Sequence, residues 1–271
     1  MSPDDSDLST LVAEAAAILD MATARFVEGR GADSAVRKKG NDFATEVDLA
    51  IEREVGAALT SATGIKVHGE EFGGADVDSP LVWILDPIDG TFNYAAGLPL
   101  AAILLGLMRD GEPVAGLTWM PFTNERLTGI VGQGLRCNGV DLAPLAPSEL
   151  ADAVVGLGTF NVDSRGRLPG RYRLAVVEHL SRVSSRIRIH GAIGIDLAWA
   201  AAGNLGGAIS FGGKVWDHAA GVALVRAAGG VVTDIAGNAW SSHSGSVLAG
   251  DARCHAQILD ILRDLGDPGD Y

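Results

Sequence analysis

The sequence predicts an α/β (α+β) fold, because its two halves carry different patterns of helix and strand. In the first half, two amphipathic helical patterns precede apolar strand segments joined by glycine-containing turns. In the second half, short apolar strands alternate with helical segments, which indicates βαβ-type layering. Thirty-six glycines favour many turns over a helical bundle, and a hydrophobic content of 47% supports a substantial core.

The first half is predicted to contain a helix pair followed by an antiparallel sheet. Apolar residues at helical spacing place one helix around Leu8–Ala22 and a second from about Thr45 to Leu59. Asp110-Gly111 between two apolar runs is a strong hairpin signal. The predicted strands are Ile65–His68, Leu81–Leu85, Leu100–Met108, Pro113–Trp119 and Leu127–Val131.

The second half is predicted to form an α/β part after a soft boundary near Pro144–Ser148. We therefore divide the chain into residues 1–145, with the helix pair and antiparallel sheet, and residues 146–271. The predicted strands are Val154–Leu157, Ile187–Ile189 and Ala208–Phe211, and the predicted helices are Tyr172–Val183, Ile195–Ala202 and His218–Ala228.

Composition and charge argue against several classes of partner. A formal net charge of −13 disfavours nucleic acid and anionic membranes, and no apolar stretch is long enough to span a bilayer. Two distant cysteines and the lack of a signal-peptide pattern indicate a cytoplasmic protein. Residues 161–190 are the exception, since they hold seven arginines against two acids. This segment is either a solvated surface or one that attracts an anionic ligand.

The most informative segment is Asp86-Pro87-Ile88-Asp89-Gly90-Thr91, which directly follows the apolar run Leu81–Leu85. Its proline and glycine predict a rigid turn at the strand end that carries two carboxylates three residues apart. The N–H groups of Gly90 and Thr91 suit an anion at the start of a short helix. Because carboxylates alone would repel a phosphate, the combination predicts a divalent cation between them.

Other acids occupy similar positions, where apolar segments give way to glycine-bearing loops or helix starts. Each has a structural alternative, since Asp217 could cap a helix and Asp48 could form a capping box with Thr45. Oxygen ligands without histidine or cysteine neighbours select Mg²⁺ first and Mn²⁺ second. Arg37-Lys38-Lys39 either approaches a phosphate or forms a solvated loop. The further candidate acids are Glu70, Glu71 and Asp42.

Taken together, these motifs resemble the inositol monophosphatase family of Mg²⁺-dependent, lithium-sensitive phosphatases, and in particular its actinobacterial members. The segments that carry the resemblance are Asp42–Asp48, Gly69-Glu70-Glu71, Asp86–Thr91 and Trp216–Gly221, in that order along nearly the whole chain. The resemblance implies a layered αβαβα sandwich of the sugar phosphatase type, a homodimer, and two or three Mg²⁺ per site. Most ligands then lie in residues 1–145 and Asp217 lies in residues 146–271.

The resemblance also implies a role for individual residues. The metal ligands would be Glu70, Asp86, the Ile88 carbonyl, Asp89 and Asp217. The catalytic residues would be Thr91 and Asp48, which orient or deprotonate the attacking water, and Glu70, which also faces a third metal. Glu71 would support the ligands. Substrate and phosphate contacts would come from Asp89, Gly90, Thr91, Gly191, Ala192, Ile193, Ser210 and Asp217.

The residues on the alcohol side depart from the inositol-specific pattern. Ser210 stands where that pattern has a glutamate, and Ala192-Ile193 replaces a Thr-Ala pair after Gly191. We therefore expect hydrolysis of a small phosphate monoester by metal-activated water, with the alcohol left open. Histidinol phosphate, fructose bisphosphate and nucleotide 3′-phosphates are alternatives on the same scaffold. A regulatory binding protein that keeps a phosphatase fold is the alternative from another class.

Overall fold

Five alternating layers of helices and sheets form the protein in a computed structural model that describes residues 5–38 and 43–271. The helices are α1 (Asp5–Glu28), α2 (Glu46–Thr63), α3 (Thr91–Ala95), α4 (Gly170–Val183), α5 (Ile193–Ala201), α6 (Val215–Ala227) and α7 (Ala252–Asp264). No helix in the described ranges is both long and apolar enough to cross a bilayer.

The strands form two large sheets and one short hairpin. The hairpin pairs β1 (Ser34–Arg37) with β2 (Phe43–Thr45). The eight-stranded sheet contains β3 (Val67–Gly69), β4 (Gly73–Gly74), β5 (Leu81–Asp89), β6 (Ala102–Arg109), β7 (Glu112–Met120), β8 (Glu125–Ile130), β9 (Gly134–Cys137) and β10 (Val140–Asp141), in the order β10-β9-β8-β7-β6-β5-β3-β4. The five-stranded sheet contains β11 (Val154–Leu157), β12 (Arg186–Arg188), β13 (Gly207–Ser210), β14 (Val231–Thr233) and β15 (Val247–Gly250), in the order β12-β11-β13-β15-β14.

Alternating side chains of the two sheets build three hydrophobic clusters between the layers. On β5, Trp83 and Leu85 face α1 and α2, whereas Val82 and Ile84 face α5 and α6. The five-stranded sheet covers the other side of α5 and α6, and its outer face packs on α4 and α7. The predicted αβαβα sandwich is therefore confirmed, with α5 and α6 as the central layer.

Most predicted elements are present with small shifts in their bounds. The hairpin turn lies at Asp110-Gly111, where both residues have positive φ as a tight two-residue turn requires. The βαβ-type prediction holds for β11, β12 and β13, which pair in parallel. The sequence interpretation missed helix α7 and the strands β1, β2, β4, β9, β10, β14 and β15. Residues 142–149 connect the halves without helix or strand. The division near residue 145 stays a prediction.

The Asp-Pro-Ile-Asp segment is not the rigid turn that the sequence suggested. Strand β5 continues through Asp89, and the turn follows at Gly90, which has a φ of 84°. Asp86 pairs with Leu104 and Asp89 pairs with Ala102. The chain therefore advances three residues along β5 while it advances two along β6. This arrangement is a β-bulge, where proline is tolerated because the ladder is locally interrupted.

Helix α6 packs directly on the middle of the eight-stranded sheet because glycines leave room for it. A Cβ atom added at Gly116 of β7 would lie 2.2 Å from the Ala220 carbonyl oxygen, and one at Gly106 of β6 would lie 2.9 Å from the Ala219 Cβ. These contacts are too close for any side chain larger than hydrogen. The glycines therefore set the distance between the sheet and the helix that carries Asp217.

We expect Gly116→Ala to lower the free energy of unfolding by about 1–3 kcal/mol, because the added methyl group forces α6 away from the sheet. The matched control is Gly56→Ala in α2, where a Cβ meets nothing within 4 Å. This change should raise stability by about 0.5–1 kcal/mol, because alanine favours the helix. Urea denaturation of both variants measures the difference. Equal effects in the two variants would contradict the close approach.

Candidate active site

A cavity of about 380 Å³ lies where the two sheets and the central helices meet. Eleven of the twelve predicted site residues line it, and they are Glu70, Asp86, Ile88, Asp89, Gly90, Thr91, Gly191, Ala192, Ile193, Ser210 and Asp217. The twelfth, Asp48, is fully buried and is not part of the lining. Two further candidates, Lys39 and Asp42, lie outside the described residues.

The β-bulge brings the two aspartates of β5 to the same side of the sheet. In a regular strand, positions three apart point to opposite faces. Here the extra residue turns Ile88 towards Trp83 and Leu85, and it turns Asp89 towards α5, where Asp89 Oδ2 accepts a hydrogen bond of 2.8 Å from the Gly194 N–H. Both carboxylates consequently reach the cavity.

These aspartates are strongly perturbed. Burial raises the pKa of Asp86 well above its usual range, and the nearby charges of Glu70, Asp89 and Asp217 raise it further. Burial and the charge of Asp217 act in the same direction on the pKa of Asp89. The fold thus places like charges close together, two of them nearly inaccessible to solvent, and a bound cation would relieve that repulsion.

Asp217 reaches this group from the first turn of α6. The sequence allowed it to be the cap of a helix that begins at His218, and this alternative is wrong. The helix begins at Val215, its N-cap is Lys214, and Asp217 is the third residue of the first turn. From that position it lines the cavity and raises the pKa of both aspartates of β5.

Glu70 and Glu71 lie in the loop after β3, where Lys38 and Glu52 hold them. Lys38 Nζ lies 2.8 Å from Glu70 Oε1 and 2.6 Å from Glu71 Oε1. Burial raises the pKa of Glu71 to about 7, although Lys38 opposes that shift. Glu52 Oε2 and Oε1 accept hydrogen bonds of 2.8 Å from the Glu71 and Phe72 N–H groups. The glutamate pair is therefore neither solvated nor loosely held.

Asp48 forms the capping box that the sequence suggested, and it also contributes charge to the site. Its Oδ2 accepts a hydrogen bond of 2.8 Å from the Thr45 N–H, and the Thr45 hydroxyl accepts from the Asp48 N–H. Its Oδ1 is buried without a hydrogen-bond partner among the described residues. Asp48 also raises the pKa of Asp86. A structural cap and an acceptor near the site are thus combined in one residue.

The turn after β5 supplies backbone donors and a hydroxyl. Gly90 precedes α3, and a Cβ there would lie 2.7 Å from the Leu100 carbonyl, so no other residue fits without a shift. Thr91 Oγ1 donates a hydrogen bond of 3.0 Å to the Ile88 carbonyl. Asn93 Nδ2 donates to the carbonyls of Leu100 and His190, which ties the loop before Gly191 to this turn.

Ser210 lines the cavity with its hydroxyl already engaged by the protein. Its Oγ accepts a hydrogen bond of 3.2 Å from the Gly212 N–H and lies 3.1 Å from His218 Nε2. His218 is fully buried, its Nδ1 has no partner among the described residues, and burial lowers its pKa to about 4. A neutral histidine therefore supports the serine from behind.

The donors in the cavity fit a hard cation. Within residues 5–38 and 43–271, no three histidine, cysteine, aspartate or glutamate side chains are gathered as a ready metal cluster. Two of the carboxylates are contacted by groups of the protein, Asp89 by the Gly194 N–H and Glu70 by Lys38. The oxygens of the lining acids and their mutual repulsion match what Mg²⁺ requires of its ligands.

Sequence reasoning missed several residues around the site. Glu52 had a detectable signal, because it lies four residues after Asp48 and so shares its helical face. Arg173, Lys214 and Trp216 also line the cavity. Arg173 is distant along the chain from the acidic motifs and gave no such signal, whereas Lys214 and Trp216 lie three residues and one residue before Asp217 and were given no role.

Comparison with known proteins agrees with this geometry. The model of the inositol monophosphatase family matches residues 4–266. The chain is 70% identical to the probable inositol 1-monophosphatase ImpA of Mycobacterium tuberculosis, over 98% of this chain and 99% of that protein. It is 65% identical to inositol-1-monophosphatase ImpA of Mycolicibacterium smegmatis, over 99% and 97%. An inositol monophosphatase structure from Anabaena superposes with a TM-score of 0.84 at 27% identity, over 97% and 99%.

The layered α/β sandwich holds carboxylates and the turn at Gly90 around one cavity, and its relatives are named as inositol 1-monophosphatases. The protein is a phosphoric monoester hydrolase. The chain belongs to the inositol monophosphatase family, as the motifs in the sequence predicted.

The low pKa of His218 predicts a pH-dependent stability. At pH values between the ordinary pKa of histidine and about 4, His218 is protonated in the unfolded chain but stays neutral in the folded chain. His218 therefore lowers the stability of the fold progressively as the pH falls through this window. The full effect is about 3 kcal/mol. In His218→Gln, the loss of stability relative to the parent protein should therefore shrink between pH 7 and pH 4.5.

Urea denaturation at several pH values measures this difference, and His179→Gln on the exposed side of α4 is the control for histidine replacement. The raised pKa values of Asp86 and Asp89 act with the opposite sign in both proteins, so the comparison between them isolates His218. A stability difference that stays constant over the range would contradict the assignment of a neutral buried histidine.

Proposed function

We propose that the protein hydrolyses a small phosphate monoester with Mg²⁺, as inositol monophosphatases do. The observation that carries the proposal is the convergence of eleven predicted residues, from five separate stretches of the chain, on one cavity. Within it, Glu70, Asp86, the Ile88 carbonyl, Asp89 and Asp217 would hold two or three Mg²⁺. When bound, the metal supplies Lewis-acid chemistry that polarises the phosphoryl group and activates water.

The residues of the chain then position the reactants. The N–H groups of Gly90 and Thr91 at the start of α3 bind phosphate oxygens. The Thr91 hydroxyl donates a hydrogen bond to the Ile88 carbonyl. The lone pairs of Thr91 Oγ1 are therefore left to accept a hydrogen bond from the attacking water. Asp48, whose Oδ1 has no partner among the described residues, serves as the acceptor for the proton of that water. The mechanism we propose needs no covalent enzyme intermediate.

The identity of the alcohol separates the candidate substrates. The relatives named inositol 1-monophosphatase favour inositol phosphate. Ser210 in place of an acid favours another alcohol, such as histidinol phosphate, fructose bisphosphate or a nucleotide 3′-phosphate. A regulatory binding role is the alternative of another class, and release of phosphate from any monoester argues against it. Lithium sensitivity, a homodimer and a cytoplasmic location complete the proposal.

We expect Asp86→Asn to lower kcat/KM by about 1000-fold or more, because the change removes one of the proposed metal ligands. The same change should leave the metal-free protein at least as stable, because it removes one charge from the buried, mutually repelling group. Phosphate release and thermal unfolding in EDTA measure the two effects. Near-normal turnover would overturn the metal assignment.

The control for this experiment is Asp260→Asn, on the exposed side of α7, which should change neither quantity. Calorimetric titration with Mg²⁺ in the absence of substrate gives an independent readout. Loss of Mg²⁺ binding in Asp86→Asn, but not in Asp260→Asn, supports the proposed ligand.

We expect Ser210→Glu to raise kcat/KM for inositol 1-phosphate relative to glycerol 2-phosphate, because a carboxylate at this position accepts hydrogen bonds from the alcohol hydroxyls. The expected change is about tenfold, equivalent to one well-formed hydrogen bond. Ser210→Ala is the matched control for loss of the hydroxyl that contacts His218. An unchanged ratio in Ser210→Glu would remove residue 210 from the alcohol side.

A further inference from the structure

Two positively charged side chains line the cavity together with the acids, and the mechanism above does not use them. They are Arg173 of α4 and Lys214, the N-cap of α6. Arg173 belongs to the arginine-rich segment that the sequence singled out, so one member of that segment is directed into the active site rather than to the surface.

Arg173 is half-buried and fixed in orientation. Its Nε donates a hydrogen bond of 3.0 Å to the Leu168 carbonyl, and its guanidinium carbon lies 5.3 Å from the centroid of the Phe211 ring. Phe211 follows Ser210 and lines the same cavity. The Nε contact leaves the two terminal nitrogens of the guanidinium as donors, and these form the planar fork that binds phosphate or carboxylate.

Lys214 is supported in a similar way by an aromatic ring. Its Nζ lies 4.6 Å from the centroid of the Trp216 ring, and Trp216 also lines the cavity. The residue is exposed, and it is placed three positions before Asp217. Aromatic rings thus hold both cations, by contacts that leave their charges uncompensated.

Within residues 5–38 and 43–271, neither cation forms an ion pair with a carboxylate. The ion pairs found among the described residues involve other arginines and lysines, including Lys38 with the two glutamates. This is notable in a chain with a net charge of −13. Ser210, which is neutral, lines the same cavity. The cavity therefore presents two positive charges, on Arg173 and Lys214, in addition to the carboxylates of the metal side.

We propose that the physiological substrate carries a second anionic group on its alcohol part, which Arg173 and Lys214 bind. This inference rests on the proposed phosphatase function and narrows it. The reacting phosphate lies at the carboxylates and the turn at Gly90, and the second anion lies between the guanidinium and the ammonium group. A phosphate monoester whose alcohol part is uncharged leaves both cations without a partner.

Two pairs of esters test the inference and distinguish the kinds of second anion. Fructose 1,6-bisphosphate against fructose 1-phosphate adds a phosphate, and 2-phosphoglycerate against glycerol 2-phosphate adds a carboxylate. With saturating Mg²⁺, at least one ester that carries the second anionic group should have a kcat/KM about tenfold or more above that of its paired ester. A charge-assisted hydrogen bond predicts a change of this size. Ratios near one in both pairs would overturn the inference.

Variants assign the preference to the two side chains. Arg173→Gln and Lys214→Gln should each lower the ratio by about tenfold, mainly through KM, because the second anion is bound equally before and during the reaction. Arg173→Lys should keep part of the preference because it retains the charge. The matched controls are Arg171→Gln on the exposed side of α4 and Lys66→Gln, and they should keep the full ratio.

The outcomes separate this inference from the proposed function. If none of the four esters releases phosphate, the phosphatase proposal fails and the inference fails with it. Suppose that fructose 1-phosphate or glycerol 2-phosphate is hydrolysed, but that the kcat/KM ratio of each ester pair is unchanged in both glutamine variants. The phosphatase proposal then stands and the inference is wrong. Because Lys214 is exposed, Lys214→Gln remains informative even if Arg173→Gln disturbs the packing on Phe211.

Discussion

The central constraint in this protein is the repulsion among carboxylates that the fold holds together. Asp86 and Asp89 are nearly inaccessible to solvent, and Asp217 lies close enough to raise the pKa of both. Such an arrangement is unfavourable in isolation, and the burial of three apolar clusters must offset it. The site is therefore stabilised by the layers around it, and a cation bound among these carboxylates would relieve the same repulsion.

The layers also determine which acids meet. Asp86 and Asp89 come from the eight-stranded sheet and Asp217 from a central helix, so the spacing between these two layers sets the distance between their carboxylates. Glycines at the crossing of α6 with β6 and β7 fix that spacing. On the other side, Glu52 of α2 holds the loop that carries Glu70 and Glu71. Residues without chemistry of their own thus control the geometry of the site.

Much of this could be predicted from the sequence, because the acidic motifs coincide with the ends of apolar segments. Strand β5, the hairpin at Asp110-Gly111 and the alternation in the second half each have a local pattern. The bulge has none beyond Pro87, since it depends on pairing with β6. Likewise, the placement of Arg173 and Lys214 in the same cavity lining as Ser210 arises from tertiary packing.

The bulge in β5 has a consequence for how this chain can diverge. Surface loops tolerate insertions and deletions, since their length affects little else. The interval from Asp86 to Asp89 has no such freedom. If it gained or lost a single residue, the side chain of one of the two aspartates would point to the opposite face of the sheet. That acid would then enter the apolar layer of α1 and α2 instead of the cavity. Evolution can alter the alcohol side residue by residue, while this interval changes only at the expense of the fold.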